Sequence, residues 1–311
     1  MQDKVRIISN ILGKSYKSSG EVLFRCPYCK SSKRKFSVNF DKNVYKCWVC
    51  DVRGRDLYRI VRRFGSFVDL EAWKAVSGNK LDLNEFEFLF SSEKEEEDKQ
   101  QIVPMPPEFK TLTSRALDDE GKRALQYLKT RSVEKYDILK WKMGYCSRGE
   151  YKNRIVIPSF DESGDMNYFV ARSYSGDYMR YKNPPASRNI IFNELYLDFD
   201  KEIILVEGVF DAIKAENAVP ILGSTIRENS KLFRKIVKHD TPVLLALDPD
   251  ARRKSNAIKE KLLKYGIEVR EIRYHNNQDI GDMSKDEVKN LSTGAPLIRS
   301  NDQLIEAISA I

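Results

Sequence analysis

Two cysteine pairs, Cys26-Pro-Tyr-Cys29 and Cys47-Trp-Val-Cys50, stand 17 residues apart near the start of the chain. This spacing constrains the fold more than any other local feature. Two thiolates three residues apart on a tight turn can face one ion, and two such turns supply four sulfurs in a tetrahedron with Zn–S near ~2.3 Å. Four protein ligands leave no open position, so the expectation is a structural Zn2+ site on Cys26, Cys29, Cys47 and Cys50. Cys146, in "KMGYCSR", stands outside this pattern and is expected to be a small buried apolar side chain.

Between the pairs runs "KSSKRKFSVNFDKNVYK". Lys33, Arg34 and Lys35 offer cations for phosphates, and Phe36 offers a ring for an unpaired base. These four are the candidate DNA-binding residues of the N-terminal module. The competing expectation is that Phe36, Val38 and Phe40 face a small core while the cations only solvate it. Charge favours a polyanionic partner. Residues 1–75 hold 17 Lys or Arg against 7 Asp or Glu, whereas residues 76–107 hold 3 against 8, and the whole chain carries +8. The acidic stretch "SSEKEEEDKQQIVPMPPEF" reads as a mobile linker.

From residue 108 the pattern is ordered again. "LDDEGKRALQYLKTRSV" is predicted helical, with Ala124, Leu125 and Leu128 inward. "RIVIPSFD" and "DMNYFVARSYS" are predicted strands around the turn "DESGD". From residue 200, apolar strands alternate with amphipathic helices: "EIILVEG", "VPILGS", "PVLLALDPD" and "EVREIRY" are the strands. That alternation predicts a mainly parallel sheet with helices on its faces.

Ligands of open α/β sheets sit at the carboxyl ends of strands. Glu207 ends one such strand, directly before Gly208. Asp248 and Asp250 end another. Asp211 lies one helical turn beyond Glu207, and Asp279 and Asp282 follow "EVREIRY". Carboxylates gathered at one sheet edge repel unless divalent cations bridge them, and all-oxygen sites suit Mg2+ or Mn2+. No Ser-His-Asp or Cys-His nucleophile set is visible.

The run "ILVEGVFDA", then "ILGST" and "LALDPDARRK", resembles the TOPRIM domain of DnaG-type primases, topoisomerases and some nucleases. The resemblance implies catalytic, metal-binding roles for Glu207, Asp248 and Asp250, with Asp211, Asp279 and Asp282 as further metal-site acids. "RIVIPSFDESGDMNYFVARSY", "RYKNPP" and "ALQYLKTRSV…KMGY" resemble the remainder of the DnaG-type polymerase core. This implies nucleotide and template contacts from Arg131, Arg154, Arg172, Arg180, Lys182 and Asn183. A lysine expected just after the Phe of "FNELY" is missing.

The implied protein is a multi-domain α/β primase of compact, phage-like form. It has a zinc ribbon over 1–75, an acidic linker over 76–107, a basic α+β subdomain over 108–198, a TOPRIM domain over 199–285 and a tail over 286–311. Its implied partners are single-stranded DNA template, ribonucleoside triphosphates and a replicative helicase in trans, with no membrane and a cytoplasmic setting. A TOPRIM nuclease and a non-catalytic zinc/TOPRIM recombination mediator are the alternatives.

Overall fold

The computed structural model describes residues 2–18, 20–77, 101–223, 226–274 and 280–298. The acidic run expected to be a linker, and Asp279, lie largely or wholly outside the described residues. The chain divides into two compact units, residues 1–97 with 238–240, and residues 98–237 with 241–311.

The first unit opens with helix α1 (Gln2–Leu12). Five strands follow: β1 (Tyr16–Ser18), β2 (Glu21–Phe24), β3 (Phe36–Asn39), β4 (Val44–Cys47) and β5 (Arg53–Gly54). They form one antiparallel sheet in chain order. Helices α2 (Tyr58–Phe64) and α3 (Phe67–Ser77) close the unit against α1. Leu57, Ile60 and Val61 are buried, as the 3.6-residue period predicts. Each cysteine pair is followed directly by a residue in the left-handed region, Lys30 at φ 51° and Asp51 at φ 59°. The Lys30 N–H donates to the Cys26 carbonyl at 3.0 Å. These two tight turns aim all four sulfurs to one side.

The second unit carries two sheets. One is antiparallel, in order β6 (Phe109–Thr111), β7 (Gly144–Cys146), β8 (Arg154–Phe160), β9 (Met166–Ser173). Cys146 is buried there beside Val156 and Phe169, as expected of an apolar thiol. Helix α4 (Asp119–Thr130) starts on Asp118, whose carboxylate accepts from the Gly121 N–H at 2.9 Å. Ala124 and Leu128 are buried and Leu125 half-buried. Gly121 matters sterically: a Cβ there would lie 2.8 Å from the hydroxyl of Tyr145, which itself donates to Asp118. Helix α5 (Lys135–Lys140) leads back into β7.

The other sheet runs β11 (Ala218–Pro220), β10 (Ile203–Val206), β12 (Val243–Leu245), β13 (Val269–Glu271), β14 (Leu297–Ile298). The first four are mutually parallel. Helices α6 (Val209–Lys214), α7 (Lys231–His239) and α8 (Arg252–Lys264) make the crossovers. Ile203, Leu205 and the whole of β12 are buried, which is why these strands read as continuous apolar runs. The stretch read as a tail begins instead with helix α9 (Lys285–Gly294), capped by Ser284. It ends in β14, which adds antiparallel to β13. A two-residue edge strand is too short for its alternation to register in the sequence.

Candidate active site and metal centre

β10 pairs with β12 in parallel register, Leu205 opposite Leu245, and the Ala246 N–H donates to the Leu205 carbonyl at 2.9 Å. Glu207 and Asp248 therefore leave adjacent strands at the same carboxyl edge. The chain leaves β10 in one direction for β11, then crosses back to place β12 on its other side. The reversal makes the gap between β10 and β12 the topological switch point, where ligands of open α/β sheets bind.

Glu207 and Asp248 are half-buried and Asp250 is exposed. Oε1 of Glu207 is buried and accepts no hydrogen bond. It lies 3.6 Å from Nζ of Lys254, on the first turn of α8. A carboxylate oxygen of this kind is suited to a cation, and Lys254 supplies the local positive charge. Among the described residues, no three carboxylates bring oxygens to common ligand distance. Like charges 4 Å apart repel by roughly 4 kcal/mol at an effective dielectric near 20, so acids without a cation stand apart. Asp211 accepts from the Gly208 N–H at 2.8 Å and so fixes the first turn of α6. Asp282 lies 3.6 Å from a guanidinium nitrogen of Arg131.

The six expected nucleotide- and template-binding residues divide by what they touch. Arg131 stands 5.8 Å from the Phe210 ring, on the turn after Glu207, and its buried Nε has no hydrogen-bond partner. Arg172 donates to the Tyr127 hydroxyl at 2.9 Å and lies 4.7 Å over the ring of Tyr181. Tyr127 meets Phe210 edge-on at 6.4 Å, so both arginines join the aromatic group beside the acidic edge. Arg180 is exposed. Lys182 pairs with Glu150 at 3.2 Å. Arg154 is only 6 % exposed and donates to the Met179 carbonyl at 2.9 Å, and Asn183 accepts from the Ala171 N–H at 3.3 Å. These last two hold the segment after β9 in place and do not present free donors.

In the first unit, Sγ atoms of Cys26 and Cys50 lie 3.9 Å apart, and those of Cys29 and Cys47 lie 4.0 Å apart. All four fall within 4.8 Å of one another. Tetrahedral Zn–S bonds of ~2.3 Å imply sulfur separations of just this order, so the residues fit a zinc ion. Lys33, Arg34 and Lys35 are exposed beside this cluster.

Phe36 corrects the expectation of a base-stacking ring. It is 0 % exposed, on the middle strand of the sheet, with the Tyr45 ring 5.4 Å away. The exposed ring at the cysteine cluster is Trp48, inside the second cysteine turn, at 64 %. The Trp48 backbone N–H donates to the Lys35 carbonyl at 2.9 Å, and Nζ of Lys46 lies 4.4 Å from the indole ring centre. The signal was present in "CWVC": a ligand turn has no interior side on which to hide an indole.

No family model matches the chain. It is 23% identical to a DNA primase of Staphylococcus aureus over 309 residues, covering 82% of this chain and 51% of that protein. It is 24% identical to a DNA primase of Clostridium acetobutylicum over 307 residues, covering 82% and 50%. The sequence is thus similar to primases across both units. The chain is similar in sequence to DNA primases. It spans about half the length of the curated relatives it matches. The fold agrees: the zinc-binding and RNA polymerase domains of the Aquifex aeolicus primase match at TM-score 0.50 and 22% identity, over 95% of this chain and 84% of that one. The likeness in fold therefore spans both units. Among the described residues no helix is long and apolar enough to cross a membrane.

Proposed function

We propose that this chain is a DNA primase that makes short RNA primers on single-stranded DNA by divalent-metal-dependent nucleotidyl transfer. The observation that carries this reading is the register of β10 on β12, which delivers Glu207 and Asp248 to one switch point. Glu207, Asp248 and Asp250 would hold Mg2+ or Mn2+, with Asp279 and Asp282 as further acids; Asp211 contributes by shaping the turn after Glu207. When bound, such a cation polarises the α-phosphate and acidifies the attacking 3′-hydroxyl.

The protein's own part is positioning and charge, which is most of what phosphoryl transfer requires. Arg131 and Arg172, oriented by Tyr127 and Phe210, grip phosphates of template and nucleotide with charge-assisted bonds. Arg180 and Lys182 extend that face, while Arg154 and Asn183 support it from beneath. Zn2+ on the four cysteines holds the N-terminal module rigid, and Lys33, Arg34, Lys35 and Trp48 engage template. A replicative helicase in trans and a cytoplasmic setting follow from this reading.

The test is incubation of the full chain with single-stranded DNA, labelled ribonucleoside triphosphates and Mg2+. Short template-dependent RNA is expected. Cut DNA would establish a nuclease, and DNA binding with neither product a recombination mediator.

A further inference from the structure

Lys214 ends helix α6 and is only 4 % exposed. Its Nζ donates to the main-chain carbonyl of Arg131 at 2.8 Å and to that of Ser132 at 3.4 Å. Among the described residues it has no carboxylate partner. A buried ammonium without a counter-charge is costly. Part of that cost is offset here, because Arg131 caps the C-terminal end of α4, where helix carbonyls carry partial negative charge. Ser132 then turns the chain in the left-handed region at φ 51°. The same Arg131 sends its guanidinium to within 5.8 Å of the ring of Phe210, near the start of α6. One short helix thus meets Arg131 twice, Phe210 at the side chain and Lys214 at the backbone. That helix begins just after Glu207 and Gly208, and Asp211 fixes its first turn.

We infer, with the primase reading supplying what Arg131 grips, that Lys214 is a positioning residue that sets the place of the Arg131 guanidinium against the acidic edge. Helix α4 lies between β6 and β7 of the antiparallel sheet, whereas Glu207 ends a strand of the parallel sheet, and the two sheets are separate ladders. Strand register aligns Glu207 with Asp248 but leaves Arg131 to be placed by side chains. Asp282, 3.6 Å from the guanidinium, steers its charged end. Lys214 holds the main chain from which that side chain extends. A phosphate gripped by Arg131 then meets the acids of the switch point at a fixed offset. Misplacing such a group by ~1 Å can cost about 100-fold in rate.

The experiment is a double-mutant cycle on the full chain with wild type, K214M, R131A and K214M/R131A. It is read by kcat/KM of primer synthesis and, separately, by affinity for a single-stranded oligonucleotide in fluorescence anisotropy. K285M is the structural control: Lys285 pairs with Asp137 at 2.7 Å on the next helix and does not touch the Arg131 carbonyl. K214M is expected to lose at least about tenfold in kcat/KM and to weaken oligonucleotide binding. The double variant should be no worse than R131A, since a misplaced arginine and a missing one fail alike. Any loss in K285M should instead add to that of R131A. Should K214M not melt cooperatively, the cycle is run with K214Q, whose amide is one bond shorter and keeps a donor without the charge. Losses that add between position 214 and R131A overturn the inference and leave Lys214 a merely structural cap. So does wild-type behaviour of K214M, an R131A variant that loses nothing, or K285M coupling to R131A as strongly as K214M. Failure of wild type to make primers would remove the primase reading, while the oligonucleotide cycle still decides the role of Lys214. A wild type that neither makes primers nor binds DNA overturns both.

Discussion

Nζ of Lys254 lies 3.6 Å from Oε1 of Glu207, a buried oxygen that accepts no hydrogen bond. The ammonium group occupies the electrostatic role of a divalent cation, so the two compete. In K254Q, Mn2+ affinity should rise, read by paramagnetic resonance titration. Stability of the metal-free protein should fall by about 1 kcal/mol or less, since single ion pairs near solvent contribute little. Weaker Mn2+ binding would mean that Lys254 helps to build the cation site.

Removing an acid from the switch point should disable chemistry without unfolding the sheet. E207Q and D248N are expected to lose primer synthesis by about 100-fold or more, the scale of losing one aimed electrostatic group. Both should stay folded, with E207Q losing no more stability than the Lys254 pair contributes, about 1 kcal/mol or less. Near-normal synthesis by a folded D248N would refute the assigned role.

The zinc cluster should stabilise one unit alone. Metal binding to such sites is folding free energy, with apparent values of about 10–16 kcal/mol in small zinc modules. C47S should lose its zinc, by elemental analysis of the purified protein, and lose protection of residues 2–77 in hydrogen exchange. The β10–β12 ladder should keep its protection.

Trp48 and Phe36 should fail in opposite ways. Stacking on one base is worth ~1–3 kcal/mol, so W48A should weaken binding of a single-stranded oligonucleotide by about 5- to 100-fold with unchanged melting. Phe36 is wholly buried, so F36A should cost about 3–5 kcal/mol of stability in the first unit. Fluorescence anisotropy and urea denaturation separate the two.

Asp118 should make stability depend on pH at the acid end. Its carboxylate accepts from Lys110 at 2.8 Å, from the Gly121 N–H and from Tyr145, and these bonds hold its pKa down to about 2. The folded pKa is lowered, so the contribution is present above the unfolded value near ~3.9 and fades as pH falls toward 2. The gap between wild type and D118N in urea midpoint should be full at pH 7 and shrink between about pH 4 and pH 2. A gap unchanged over that range would remove the carboxylate's role.

The parallel sheet was legible because its strands are buried on both faces and so read as unbroken apolar runs ending in acids. The cysteine turns were legible because three-residue spacing is a local property. Exposure was not legible where it depends on strand order. Phe36 alternates like a half-exposed residue, yet β3 lies between β2 and β4 with rings packed over it. Arg154 sits among basic residues in the sequence, and only the path of residues 177–179 shows that its donors are turned to Met179 and Asp177. Lys254 gains its meaning only from Glu207, distant in the chain, and Trp48 only from a turn with no inner face.

The backbone ladder joining Leu205 to Leu245 gives the two acids a shared mechanical fate. Glu207 follows β10 directly and Asp248 comes two residues after the ladder's last bond at Ala246, so warming should leave the reaction centre intact until the strands themselves part. Thermal inactivation and cooperative melting of the second unit should then coincide in one event.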